Sequence, residues 1–219
     1  MPKRRKPSAQ LECGTHSKEL RYLLYLPSKY GEDPDKKWPM ILYLHGIGER
    51  GSKLNLLKKH GIPKVVENRD DFPFLTVSPQ CPDNTLWFEH YDELIAILDE
   101  VMETYDIDAN RIYLTGNSMG GYGTWGLAIK IPYRFAAIAP ICGGGIPEQV
   151  CVLKEVPMWA FHGEKDDLVD LSEGQKMMDA LEACGGKVRF TIYKGVGHDS
   201  WTRTYENPEL YAWFLEHTR

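Results

Sequence analysis

The sequence predicts an α/β fold, a mostly parallel sheet with helices on both faces. Three observations carry that expectation. Apolar runs of strand length alternate with longer segments of helical period through most of the 219 residues. Several of the runs are almost continuously apolar and close on turn residues, as buried parallel strands do. The segments between them are long enough for the crossovers that parallel strands require. In such sheets ligands meet the carboxyl ends of strands, so the residues just after each strand carry the functional reading.

Taken in order, "LRYLLYLP" (Leu20–Pro27) reads as a strand paired with the segment before it. "MILYLHG" (Met40–Gly46) and "FLTVSPQ" (Phe74–Gln80) are buried strands closed by turn residues. Over Tyr91–Tyr105, Leu94, Ile97, Leu98, Val101 and Met102 fall at helical spacing with acids on the other face. The strand "RIYLTG" follows, then a helix from Ser118 to about Ile131, then the strand "FAAIAPICG". "PMWAFHG" (Pro157–Gly163) precedes a helix over Leu171–Ala183 that stops at Gly185-Gly186. "VRFTIYKG" is the last strand, and "PELYAWFLEH" the last helix, with Pro at its start. No repeat or linker divides the chain. The expectation is one catalytic domain over 19–219, preceded by a tail and possible first strand in 1–18.

Composition narrows the function. Hydrophobic residues make up 42%, enough for a sizeable core. A net charge of −5 gives no electrostatic case for a nucleic-acid partner. The basic cluster Lys3-Arg4-Arg5-Lys6 reads as a solvated terminus. No apolar run approaches the ~20 residues that span a bilayer, so no membrane partner is expected. The polar stretch "PSAQLECGTHSKELR" offers no signal-peptide core. Cys13, Cys81, Cys142, Cys151 and Cys184 are scattered without CxxC spacing. That argues against a zinc site and a dense disulfide framework, and cytoplasm is the default location.

Chemistry concentrates at Gly116-Asn117-Ser118-Met119-Gly120, which matches G-x-S-x-G between a strand and a helix. In that setting the serine stands on a sharp turn with its hydroxyl clear of the sheet. Gly121, Gly123 and Gly126 then each cost about 1 kcal/mol relative to alanine in a helix. The expected return is close helix–strand approach or room for substrate. A serine needs a base to take its proton, and the base needs a partner to fix its tautomer. His198 in "YKGVGHDSW" lies straight after a strand and is the candidate base. "FHGEKDDLVD" supplies the acid, and spacing alone does not separate Asp166 from Asp167.

The oxyanion requires preorganised donors, each worth roughly 3–4 kcal/mol. One is expected at the Met119 amide and the other in the loop after "MILYLHG", at Ile47 or else Gly46. His45 reads as a structural hydrogen-bonder. Trp87 and Phe88, with Trp201, are candidates for an aromatic wall beside the substrate, or for plain core packing.

Together "LYLHGIGERG", "VSPQC", "TGNSMGGYGTW", "FHGEKDDLV" and "GHDSWTRTYENPELYAWF" resemble the successive blocks of the α/β-hydrolase superfamily. More narrowly, they resemble serine esterases of the dienelactone hydrolase, feruloyl esterase and prolyl-oligopeptidase-like group. The resemblance spans roughly residues 20–217. It implies an α/β-hydrolase fold, with Ser118 as nucleophile, Asp166 as acid and His198 as base. Asn117 departs from the apolar residue that often stands before the serine. Only Gly143–Val156 lies between two strands where a large lid would be inserted, so a minimal, open site is expected. The implied activity is hydrolysis of a small-molecule ester with small, aryl or sugar-linked parts. No cofactor or metal is implied. A peptidase of the prolyl-oligopeptidase type is the runner-up, and a non-catalytic binding protein on the same fold a distant third. Oligomeric state is not addressed by any of these signals.

Overall fold

A computed structural model describes residues 10–14, 20–67, 69 and 71–219. The basic cluster at Lys3–Lys6 and most of the segment 1–18 lie outside the described residues. Among the described residues eight strands form one sheet: β1 (Leu11–Gly14), β2 (Arg21–Tyr25), β3 (Trp38–Leu44), β4 (Leu75–Pro79), β5 (Ile107–Asn117), β6 (Ala137–Ile141), β7 (Met158–Gly163) and β8 (Val188–Tyr193). Their order across the sheet is β1-β2-β4-β3-β5-β6-β7-β8. β2 runs antiparallel to both β1 and β4, and all other neighbours are parallel. This is the α/β-hydrolase architecture.

β3, β4, β6 and β7 are buried at every position, which is why they read as unbroken apolar runs. Among the described residues six helices cover the sheet: α1 (Gly61–Glu67), α2 (Tyr91–Thr104), α3 (Met119–Lys130), α4 (Leu171–Ala183), α5 (Trp201–Glu206) and α6 (Pro208–Leu215). The two-residue period of β3 divides the core. Met40, Leu42 and Leu44 face the layer that holds buried residues of α2, α3 and α4. Ile41 and Tyr43 face the layer of α1, α5 and α6. The second layer is built on aromatic pairs, with Tyr113 stacked on Phe214 at 4.8 Å and Tyr43 edge-on to Tyr205 at 5.6 Å. Full burial of one such side chain is worth about 1.5–3 kcal/mol.

The strands and longer helices stand where sequence pattern places them. Two elements were not anticipated there, α1 and α5. They are seven and six residues long, too short to show a helical period of their own. The segment between β6 and β7 holds a 3₁₀ turn over Pro147–Leu153. A disulfide joins Cys151 of that turn to Cys184 at the end of α4, across a Cα separation of 5.5 Å. Among the described residues Cys81 and Cys142 are buried free thiols. No described helix is long and apolar enough to cross a membrane.

Candidate active site

Register brings the carboxyl ends of the central strands to one line: Leu44 of β3 pairs with Gly116 of β5, and Asn117 with Ile141 of β6. The chain moves outward from β3 to β4 and returns on the other side at β5. That reversal is the point where open α/β sheets leave a crevice. Ser118 and Ile47 follow the two strands that flank it.

Ser118 has φ 55° and ψ −118°, a conformation few non-glycine residues adopt. Holding it costs on the order of 1–3 kcal/mol. The turn is pinned by the Ser118 amide, which donates to the Ile141 carbonyl at 3.0 Å. It also depends on Gly120, where a Cβ would overlap the Leu44 carbonyl. Further along α3, a Cβ on Gly126 would meet the Tyr91 ring. The helix glycines therefore serve close packing at these two places.

Nε2 of His198 lies 2.9 Å from the Ser118 hydroxyl oxygen. Its Nδ1 lies 2.9 and 2.8 Å from the two carboxylate oxygens of Asp166. A carboxylate only accepts, so Nδ1 carries the proton, and Nε2 is left to accept from the Ser118 O–H. Asp166 is itself fixed, since its Oδ1 accepts the amides of Leu168 and Val169 at 3.0 and 2.9 Å. Its side chain is fully buried, while Asp167 beside it is exposed. His162 braces the same loop through its Nε2, which lies 2.9 Å from the Val169 carbonyl and 3.3 Å from Asp166.

On the β3 side, His45 donates from Nδ1 to the Gly46 carbonyl at 2.6 Å and accepts the Cys81 amide at Nε2. Burial pushes its pKa down to about 4, so the ring is neutral. Burial raises the Glu49 carboxyl above the usual carboxylate range. Ile47 opens a 3₁₀ turn and Met119 opens α3, and the first N–H groups of helical turns have no intrahelical acceptor.

A cleft of about 390 Å³ opens beside Ser118, lined by Ile47, Leu86, Trp87, Phe88, Tyr91, Met119, Tyr122 and Gly123. Trp87 is only 1% exposed and donates its indole N–H to the His45 carbonyl at 3.0 Å, so it forms the floor. Phe88, 64% exposed, is the side chain presented at the rim. Trp201 is not in that lining. It stands edge-on to His198 at 5.2 Å and to His60 at 6.0 Å. Leu86, Tyr91 and Tyr122 were missed from sequence; only Tyr122 had a signal there, four residues after the serine and so one helical turn beyond it.

Cys142 brings a sulfur within 4.8 Å of the Asp166 and His198 ligand atoms, a set of metal-binding types. Burial pushes its thiol up to about 12, and thiolates are what metals and electrophiles require. The nitrogens of His198 and the oxygens of Asp166 are already held in the hydrogen-bond chain. The arrangement suits proton transfer to and from Ser118.

Comparison with known proteins agrees with the architecture. A bifunctional acetylxylan esterase/xylanase of Neocallimastix patriciarum is 34% identical over 157 residues, 68% of this chain and 22% of that protein. Feruloyl esterase D of Neurospora crassa is 23% identical over 75% of this chain and 59% of its own length. The chain thus spans between a fifth and three fifths of these curated relatives. A crystallised thermostable esterase superposes with a TM-score of 0.83 at 34% identity, covering 96% of this chain and 63% of that one. The family described as Phospholipase/Carboxylesterase matches residues 31–208, and with four-fifths of its length so matched the chain belongs to that family.

Proposed function

We propose that this protein is a serine carboxylesterase acting on small-molecule esters through an acyl-enzyme on Ser118. The observation that carries the reading is the unbroken hydrogen-bond chain from Asp166 through His198 to Ser118. As Ser118 Oγ bonds to the ester carbonyl carbon, its proton passes to Nε2 of His198. Asp166, buried and held by two amides, keeps the imidazolium oriented and compensated. The carbonyl oxygen becomes an oxyanion received by the amides of Ile47 and Met119. Gly46, the residue before the 3₁₀ turn that Ile47 opens, is the alternative donor. His198 then returns the proton to the departing alkoxide as the C–O bond breaks, and the alcohol leaves. Water repeats the sequence on the acyl-enzyme and frees the acid and Ser118. Apart from that water, the groups that act in these steps are side chains and amides of this chain.

The test is hydrolysis of para-nitrophenyl acetate, butyrate and octanoate by the wild type and Ser118→Ala, with fluorophosphonate labelling in parallel. Turnover should fall to background in a folded Ser118→Ala protein, and label should attach to Ser118. Full activity in that variant would move the nucleophile elsewhere. The reading extends to location: buried thiols at Cys81 and Cys142 fit the cytoplasm, where the Cys151–Cys184 pair would be kept reduced. Alkylation of freshly recovered protein decides it: Cys151 and Cys184 both labelled for the cytoplasm, neither labelled for an oxidising compartment.

A further inference from the structure

Two kinds of surface meet at Ser118, and the sheet separates them. The cleft is built from the loop after β3, the turn before α2 and the start of α3, and its lining includes no residue beyond Gly123. Those helices cover one face of the sheet. His198 arrives from β8, at the far side of the sheet order, and its neighbour Trp201 packs with the layer of α1, α5 and α6 on the other face. His60, edge-on to Trp201, directly precedes α1.

The chemistry assigns the two sides. The group that departs must lie within reach of Nε2 of His198, because that nitrogen delivers the proton to it. The group that stays on Ser118 must point away from that proton path. We infer that the cleft floored by Trp87 and rimmed by Leu86 and Phe88 is the acyl subsite, and that the alcohol leaves along the side walled by Trp201 and His60. This inference rests on the carboxylesterase reading above.

The lining also names the acyl class. Ile47, Leu86, Phe88, Tyr91 and Tyr122 surround the space, and no charged side chain is among them. Ile47, Leu86, Phe88 and Tyr122 are unusually exposed for such residues, which leaves their apolar surface available to a partner. A neutral apolar acyl group longer than acetyl fits this surface. A second carboxylate on the acyl chain would meet a lining with no cation to compensate it. Leu86 and Phe88 are therefore specificity-determining positions for the acyl group.

The decisive experiment is the crystal structure of the protein inhibited with a para-nitrophenyl ester of an O-methyl hexylphosphonate. Attack by Ser118 Oγ forms the O–P bond and expels para-nitrophenolate, leaving the hexyl arm as the acyl mimic. The hexyl arm should lie against Leu86 and Phe88. An arm lying against Trp201 overturns the assignment while leaving Ser118 as nucleophile. Failure to label Ser118 overturns the esterase reading and this inference with it. In solution, Phe88→Ala should lower the ratio of kcat/KM for para-nitrophenyl octanoate over acetate by about tenfold. Para-nitrophenyl hexanoate should exceed the adipate half-ester tenfold or more. An octanoate-to-acetate ratio that responds to Trp201→Ala and not to Phe88→Ala would reverse the two sides.

Discussion

Two histidine–tryptophan pairs stand at the carboxyl edge of the sheet, built alike and put to different ends. His45 and Trp87 meet edge-on at 4.9 Å, and His198 and Trp201 at 5.2 Å. In the first pair everything is satisfied by main chain. Both nitrogens of His45 and the indole N–H of Trp87 end on backbone groups, and neither ring is exposed. In the second pair the imidazole bonds only side chains, a carboxylate on one nitrogen and a hydroxyl on the other. The indole N–H of Trp201 finds no acceptor among the described residues. The lesson is that a strand-end histidine is assigned by what its two nitrogens touch. A ring held by backbone on both sides fixes a loop, whereas one strung between acid and hydroxyl can relay a proton.

The comparison breaks most visibly if the two histidines are exchanged for alanine. His198→Ala should cut kcat by about 10⁴-fold or more while the melting temperature stays within a few degrees. His45→Ala should instead cost about 2–4 kcal/mol in urea unfolding, since it opens a cavity and strands the Cys81 amide and the Gly46 carbonyl. A His45 variant as stable as wild type, or a His198 variant that unfolds early, would erase the distinction.

Next in size, Asp166→Asn should lower kcat by roughly 10³–10⁴-fold, because an amide can no longer hold Nδ1 protonated. Asp167→Asn should change it by less than about twofold, as an exposed group outside the chain. Equal losses in the two variants would mean that the acid is shared.

The third expectation is a titration. Above pH 6.5 the His45 ring is neutral whether folded or unfolded, and its contribution to stability is fully present. As pH falls from 6.5 toward the folded value of about 4, only the unfolded chain takes up the proton. Stability is then lost progressively, by about 3 kcal/mol in all. Ring-nitrogen NMR should show His45 unprotonated down to pH 5; a ring titrating near 6.5 would mean that it is not sealed.

The sequence made the strands and the hydrogen-bond chain legible for different reasons. Buried parallel strands must be apolar at nearly every position, and the glycines of the Ser118 turn are forced by backbone contacts, so both leave local marks. His198 and Asp166 were found because each follows a strand, although choosing Asp166 over Asp167 needed the family resemblance. The cleft wall was harder to see. Trp87 and Phe88 are neighbours in the chain, yet one is sealed and the other open, and nothing in two adjacent aromatics says which. Leu86 and Tyr91 join Ile47 and Tyr122 only through the tertiary fold. The pairing of Cys151 with Cys184 is equally non-local, at a sequence separation of 33.

The positive φ of Ser118 sets a direction for anyone seeking a hardier protein. A glycine carries no Cβ and takes that backbone conformation freely. Ser118→Gly should therefore outlast Ser118→Ala in denaturant, by up to about 1 kcal/mol. Selection for heat resistance alone would drift toward the glycine and lose turnover. On the proposed esterase reading, only a screen that also demands ester cleavage would keep the residue that the backbone least wants there.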